Sequence, residues 1–237
     1  MVQRLDEGMK DKKIKGIIFD MDNTLFDFVK AKIAACTVIV EYIGTGDPHE
    51  LFSYFRRGKH GFEDIENISD YLVAYKVYSQ ERFHECCTIY EREKINTIEL
   101  YPDVKRTMLD LKNMGLDIGI LTDAEKKNAS ARLKKVALCG CFDSLFTFDM
   151  TGWKKPSHKP FMHALDSMGL EAHETVFVGD SLSRDISPSK ELGMLTVHAI
   201  YGDCNPSASS QLAEEIPDHV INKFRDLLTI IQNGNTY

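Results

Sequence analysis

The sequence predicts an α/β fold: a parallel sheet with helices on both faces, interrupted by a helical insertion after its first strand. Two observations carry this. From residue 101 onward, short apolar runs alternate with segments of helical period, and regular alternation builds a parallel sheet because each strand needs a crossover to return to the starting edge. Residues 28–96 break that alternation with helical periodicity alone, so they read as an inserted domain, leaving 1–27 and 97–237 as the core.

The elements follow in order. The apolar run 14–19, with Ile14, Ile17, Ile18 and Phe19, reads as a buried strand that delivers Asp20-Met21-Asp22-Asn23-Thr24 to its carboxyl end. A nearly continuous apolar helix is predicted over 29–43, followed by the turn-rich Gly44-Thr45-Gly46-Asp47-Pro48 and a shorter helix from near His49. Residues 69–94 read as helical throughout, with Ser69 as cap and Tyr71, Tyr75 and Tyr78 on a stripe best explained by core packing. Beyond Pro102 the pattern predicts helices over 103–114, about 127–138, 159–168, about 188–192 and 223–232. Strands are predicted over 117–121, 145–148, 176–179 and 195–199.

A chain of 237 residues with net charge −7 can bury a substantial core. The acidic balance argues against a general nucleic-acid or anionic-membrane binder, which needs a positive surface field. Residues 1–13 are polar and charged, giving the expectation of neither leader nor span and hence of a cytoplasmic protein. The six cysteines lack disulfide-scaffold or zinc-ribbon spacing and are expected to be free thiols.

Four places at predicted strand ends carry candidate chemistry. Asp20 and Asp22 stand one residue apart at the rim where open α/β sheets bind ligands. Thr122 directly follows 118–121 and offers a hydroxyl, with neighbouring amides, to an anionic oxygen. Lys155, with Lys154 as competitor, brings a compact positive charge. Gly179-Asp180-Ser181-Leu182-Ser183-Arg184-Asp185 delivers two more carboxylates after 176–178. Clustered carboxylates repel unless a cation neutralises them, and acidic oxygens suit a hard ion such as Mg²⁺.

Taken in order, Asp20-Met21-Asp22-Asn23-Thr24, Thr122, Lys155 and Gly179-Asp180 with Asp185 resemble the four motifs of the haloacid dehalogenase (HAD) superfamily. Lys155-Pro156 leading to Phe161, and Gly193-Met194 before the last predicted strand, agree in register. The resemblance implies a Rossmann-like core with a helical cap over 28–96, and hinges near 27–29 and 98–101. It also implies that Asp20 forms an aspartyl-phosphate and that Asp22 is general acid and base. Thr122 and Lys155 would stabilise phosphoryl oxygens, and Mg²⁺ would sit on Asp20, Asp22 through its main-chain carbonyl, Asp180 and Asp185. Asn23 stands where glycine is commoner, and Asp123-Ala124 where Asn-Gly is frequent.

Because Asp22 supplies the acid that an oxygen leaving group needs, the resemblance favours a phosphatase over a dehalogenase. A phosphomutase uses the same core and remains the alternative; a phosphorylatable receiver module fits worse, since it keeps its reactive Asp on a middle strand. The expected partner is a small phosphorylated metabolite: a sugar phosphate, phosphoglycolate or a nucleoside monophosphate. Arg56, Arg57 and Lys59, in a predicted loop of the insertion, are candidate contacts to a second substrate anion.

Overall fold

A computed structural model describes residues 13–204 and 216–234. The amino-terminal residues 1–12, on which most of the leader expectation rests, lie outside the described residues. The chain divides into two compact units, Asp27–Glu99 and the remainder.

Among the described residues, the remainder holds a six-stranded sheet in the order β3-β2-β1-β4-β5-β6. Its strands are β1 (Gly16–Phe19), β2 (Asp117–Leu121), β3 (Ser144–Phe146), β4 (Thr175–Gly179), β5 (Leu195–Ala199) and β6 (His219–Ile221). All neighbours pair in parallel. Helices α5 (Val104–Asn113), α6 (Lys126–Lys135), α7 (Phe148–Thr151), α8 (His158–Met168), α9 (Ser187–Glu191) and α10 (Leu227–Gly234) make the connections, together with a π-helical turn at Leu182–Ile186. Alternate side chains of β1 serve opposite faces, as the strand period requires. Ile18 packs with Leu121, Phe177 and the α8 residues Phe161 and Leu165, whereas Phe19 stacks on Phe224 at 5.4 Å on the other face.

The predicted strands at 117–121 and 195–199 match β2 and β5. The one predicted over 145–148 stops at Phe146 because Thr147 takes a capping conformation and opens α7. The short, half-exposed β6 carries too little apolar signal to have been read from sequence. Its neighbour, predicted as one helix over 223–232, is a 3₁₀ turn at Phe224–Asp226 followed by α10.

The insertion is wholly helical: α1 (Phe28–Ile43), α2 (Pro48–Arg56), α3 (Glu66–Ala74) and α4 (Gln80–Asn96). Its own core joins Cys36, Ile39, Leu51, Phe55, Ile68, Tyr71, Cys86 and Tyr90. The single helix expected over 69–94 is two helices. Ser69 lies inside α3, donating its amide to Ile65, while Ser79 caps α4 by accepting from the Arg82 amide at 3.1 Å. Lys76, at φ 57, turns the chain between them. Of the tyrosine stripe, Tyr71 is core and Tyr78 is exposed. No disulfide joins cysteines among the described residues, and burial pushes the Cys36 thiol up to about 12. No described helix is long and apolar enough to cross a membrane.

Two contacts in the sheet unit give measurable consequences. A Cβ on Gly202 would lie 1.7 Å from the main-chain oxygen of Asn23, whereas the nearest atom to one on Gly119 would be the flexible Met168 sulfur at 2.7 Å. Gly202→Ala is therefore expected to lose about 2 kcal/mol or more in urea unfolding, and Gly119→Ala distinctly less. Asp143 accepts from Lys112 at 2.6 Å and from the Ile118 amide at 3.0 Å, and the Lys112 hydrogen bond holds its carboxyl below the usual range. A depressed carboxyl stabilises the fold above its unfolded pKa and loses that contribution as pH falls through its folded value. Asp143→Asn should destabilise at neutral pH, and the deficit should close under acid conditions, below the ordinary Asp range.

Candidate active site

β1 is central, and the chain leaves it toward β2 and β3 on one side and returns as β4 to β6 on the other. The crevice at the carboxyl ends of β1 and β4 is therefore a topological switch point, where loops diverge and leave room for a ligand. Asp20 follows β1 and donates its amide to Val178 of β4 at 2.8 Å; Asp180 follows β4. The π-helical turn brings Asp185 back, its amide donating to Ser181 at 2.9 Å and its carboxylate accepting from the Ser181 amide at 3.1 Å. One carboxylate oxygen each of Asp20, Asp180 and Asp185 lies within 4.8 Å of the others, and all three residues are buried.

Backbone detail makes this crowding possible. Gly179 is not in the left-handed region; it is glycine because a Cβ there would sit 2.5 Å from the Cβ of Asp185. Asn23, where glycine is commoner, has φ 63, and asparagine tolerates that region better than most side chains. It turns the chain so that the Asn23 amide donates to Phe26 and the Leu25 amide to Met21, each at 2.9 Å. The Thr24 hydroxyl then donates to Asp20 Oδ2 at 3.1 Å.

Lys155 reaches the cluster, its Nζ 2.5 Å from Asp20 Oδ1 and 2.8 Å from Asp185 Oδ1. Its amide donates to Asp123 at 2.9 Å, which anchors the loop. Lys154, the competing candidate, lies instead over the Phe148 ring at 4.7 Å. Burial alone would favour loss of the Lys155 proton, but Asp185 and Asp20 outweigh it and hold the ammonium well above its ordinary range. Burial, then Asp20 and Asp185, push Asp180 well above the usual carboxylate range. Asp185 is raised by burial against the opposing pull of Lys155. With all three carboxyls ionised, the one ammonium would leave two negative charges in a buried space, and Arg184 at the rim lies 3.8 Å from Asp123. An all-oxygen donor set short of two positive charges fits a hard divalent cation.

Thr122 stands at the exit of β2, buried, its amide bonded to Phe146 and its hydroxyl accepting from the Ala124 amide at 3.2 Å. The β1–β2 register pairs Phe19 with Ile120, so Thr122 leaves the sheet one residue beyond the position level with Asp20. Asp22 is directed to Arg132 of α6, whose Nη1 lies 2.6 Å from Asp22 Oδ2. The insertion candidates sit on α2 and the loop after it. Arg57, Lys59 and His60 converge on Asp70, Lys59 at 2.7 Å and His60 at 3.0 Å, Arg57 also lies over the Tyr54 ring at 4.1 Å, and Arg56 is exposed at the end of α2.

Sequence reasoning missed three supports of the crevice. His198 of β5 donates from Nε2 to the main-chain oxygen of Asp180 at 2.9 Å. Tyr201, against Tyr101, donates to the main-chain oxygen of Thr24 at 2.9 Å. Arg132 shares the buried face of α6 with Ala129 and Leu133; a lone cation at that helical spacing was the available signal.

The haloacid dehalogenase-like hydrolase profile matches residues 17–199. The chain is 30% identical over 233 residues to a glyceraldehyde 3-phosphate phosphatase of Methanocaldococcus jannaschii, covering 93% of this chain and 98% of that one. It is 28% identical over 234 residues to a phosphoglycolate phosphatase of Yersinia pseudotuberculosis, covering 94% and 95%. Its fold matches the crystal structure of the HAD-hydrolase YfnB from Bacillus subtilis bound to magnesium, with a TM-score of 0.73, 21% identity and coverage of 93% and 99%. With the profile spanning more than half of its length and the motif carboxylates gathered at the switch point of the matching fold, this chain belongs to the haloacid dehalogenase-like hydrolase family.

Proposed function

We propose that this protein is a Mg²⁺-dependent phosphatase that hydrolyses a small phosphate monoester through an aspartyl-phosphate on Asp20. The observation that carries the reading is the buried set of Asp20, Asp180 and Asp185 with the Lys155 ammonium seated between two of them. The phosphatases of glyceraldehyde 3-phosphate and phosphoglycolate among its relatives support a short phosphorylated metabolite as substrate.

Asp20 is the nucleophile, its carboxylate held by Thr24 and Lys155. Attack on phosphorus splits one difficult displacement into two easier ones. Asp22 protonates the departing oxygen and then takes a proton from the attacking water. Lys155 and Thr122 face the charge on the nonbridging oxygens, acting by position rather than by covalent chemistry. Asp20, the main-chain carbonyl of Asp22, Asp180 and Asp185 are the groups that would hold Mg²⁺. When bound, the ion supplies the positive charge that lets a carboxylate approach a phosphoryl dianion. His198 fixes the Asp180 main chain from behind. We place substrate selection in the helical insertion over 28–96, with Arg56, Arg57 and Lys59 as its candidate anion contacts.

Phosphate release across short phosphorylated metabolites, with Mg²⁺ and with chelator, tests the reading. The wild type should release free phosphate only with the metal, and Asp20→Asn should lower turnover by at least about 10⁴-fold. An isomerised ester in place of free phosphate would identify a mutase, and a long-lived phosphoryl adduct a switch. Binding can be read without turnover, because an ion bound only by the folded state raises its melting temperature. Mg²⁺ should raise the wild-type Tm by several degrees, and the rise should shrink in Asp180→Asn.

A further inference from the structure

We infer that Arg132 is a positioning residue for proton transfer: its guanidinium sets the direction in which the Asp22 carboxyl meets the leaving oxygen. The inference rests on the phosphatase reading of Asp20 and Asp22. Arg132 is fully buried on α6, and its Nη1 donates to Asp22 Oδ2 at 2.6 Å across 110 residues of sequence. Packing alone does not account for it, since a buried guanidinium is costly to desolvate and an apolar side chain of similar volume would fill the same face of α6 more cheaply.

The rest of the loop explains what the contact adds. The main chain around Asp22 is already fixed, by the left-handed turn at Asn23 and by the amide bonds of Asn23 to Phe26 and Leu25 to Met21. The main-chain turn does not itself fix the rotation of the Asp22 side chain, and a planar, rigid guanidinium restrains a carboxylate better than a flexible ammonium does. With Oδ2 held by Arg132, the travelling proton is carried on Oδ1. In the first step the Asp20 oxygen–phosphorus bond forms, the ester oxygen–phosphorus bond breaks, and the Asp22 proton passes to the departing oxygen. In the second, water oxygen bonds phosphorus, Asp22 takes the water proton, and the Asp20 oxygen leaves. Both transfers, the first from Asp22 and the second to it, need the carboxyl oxygen within hydrogen-bond reach and correctly aimed, so a carboxyl free to rotate loses rate without losing substrate affinity.

The test uses the dependence on leaving group. An alkyl phosphate needs a proton on its departing oxygen, whereas p-nitrophenyl phosphate releases a stable anion without one. Arg132→Met should slow enzyme phosphorylation by the alkyl ester by roughly 10- to 100-fold, part of the factor that acid-base catalysis contributes. KM should stay near the wild-type value, and the pre-steady-state burst of p-nitrophenol should stay within about twofold of wild type by the same reasoning. Arg132→Lys should recover part of the alkyl rate, and in an Asp22→Asn background it should no longer alter the alkyl-to-aryl ratio. Should Arg132→Met fail to fold by circular dichroism, Arg132→Lys carries the same comparison. Equal loss with both esters, or no loss with either, in an otherwise active enzyme overturns this inference alone. A wild type that releases no phosphate from any ester overturns the phosphatase reading and this inference with it.

Discussion

Three acidic side chains forced into one buried space are the constraint around which the sheet unit is arranged. Asp20, Asp180 and Asp185 approach within 4.8 Å of one another although burial and mutual repulsion oppose it. Such a cluster survives folding only when other groups offset it. Lys155 offsets part, bridging Asp20 and Asp185. The remaining deficit of positive charge is the physical argument for a divalent cation.

Much of the surrounding backbone serves that crowding. Gly179 yields the space that Asp185 occupies, and Gly202 yields space to the turn at Asn23. His198 and Tyr201 tie the chain after β4 and the loop after β1 through main-chain oxygens rather than side chains. These positions matter through what they leave room for or hold still, and substituting them would alter the cluster without removing any reactive group.

The parallel sheet and the acidic rim at its strand ends were legible because both follow from simple patterns, whereas the strand order β3-β2-β1-β4-β5-β6 came from the structure. Apolar runs of strand length marked β1, β2, β4 and β5, and charged residues directly after them fell at the carboxyl ends by chain direction alone. No period separates Lys155 from Lys154 in a loop; the Lys155-Pro156 register of the resemblance favoured Lys155, and the structure places its ammonium against Asp20 and Asp185. β6 escaped notice because a half-exposed three-residue strand carries no alternation. The break between α3 and α4 was hidden by continuous tyrosine spacing, although Ser79 is the better cap and Lys76 the turn. Arg132 was missed for a different reason: an ion pair spanning 110 residues leaves no local trace except a cation on an apolar helix face.

The account reduces to the claim that Asp20 and Asp180 share one ion beside a nucleophile that takes the phosphoryl group. Crystals grown with Mg²⁺ and beryllofluoride, a mimic of phosphoryl bound to a carboxylate, test it most directly. The account predicts density for a single metal ion coordinated by Asp20 and Asp180 oxygens, with trifluoroberyllate attached to the other Asp20 oxygen and contacted by Lys155. A beryllofluoride adduct on any other residue, or a metal ion outside this crevice, would contradict it.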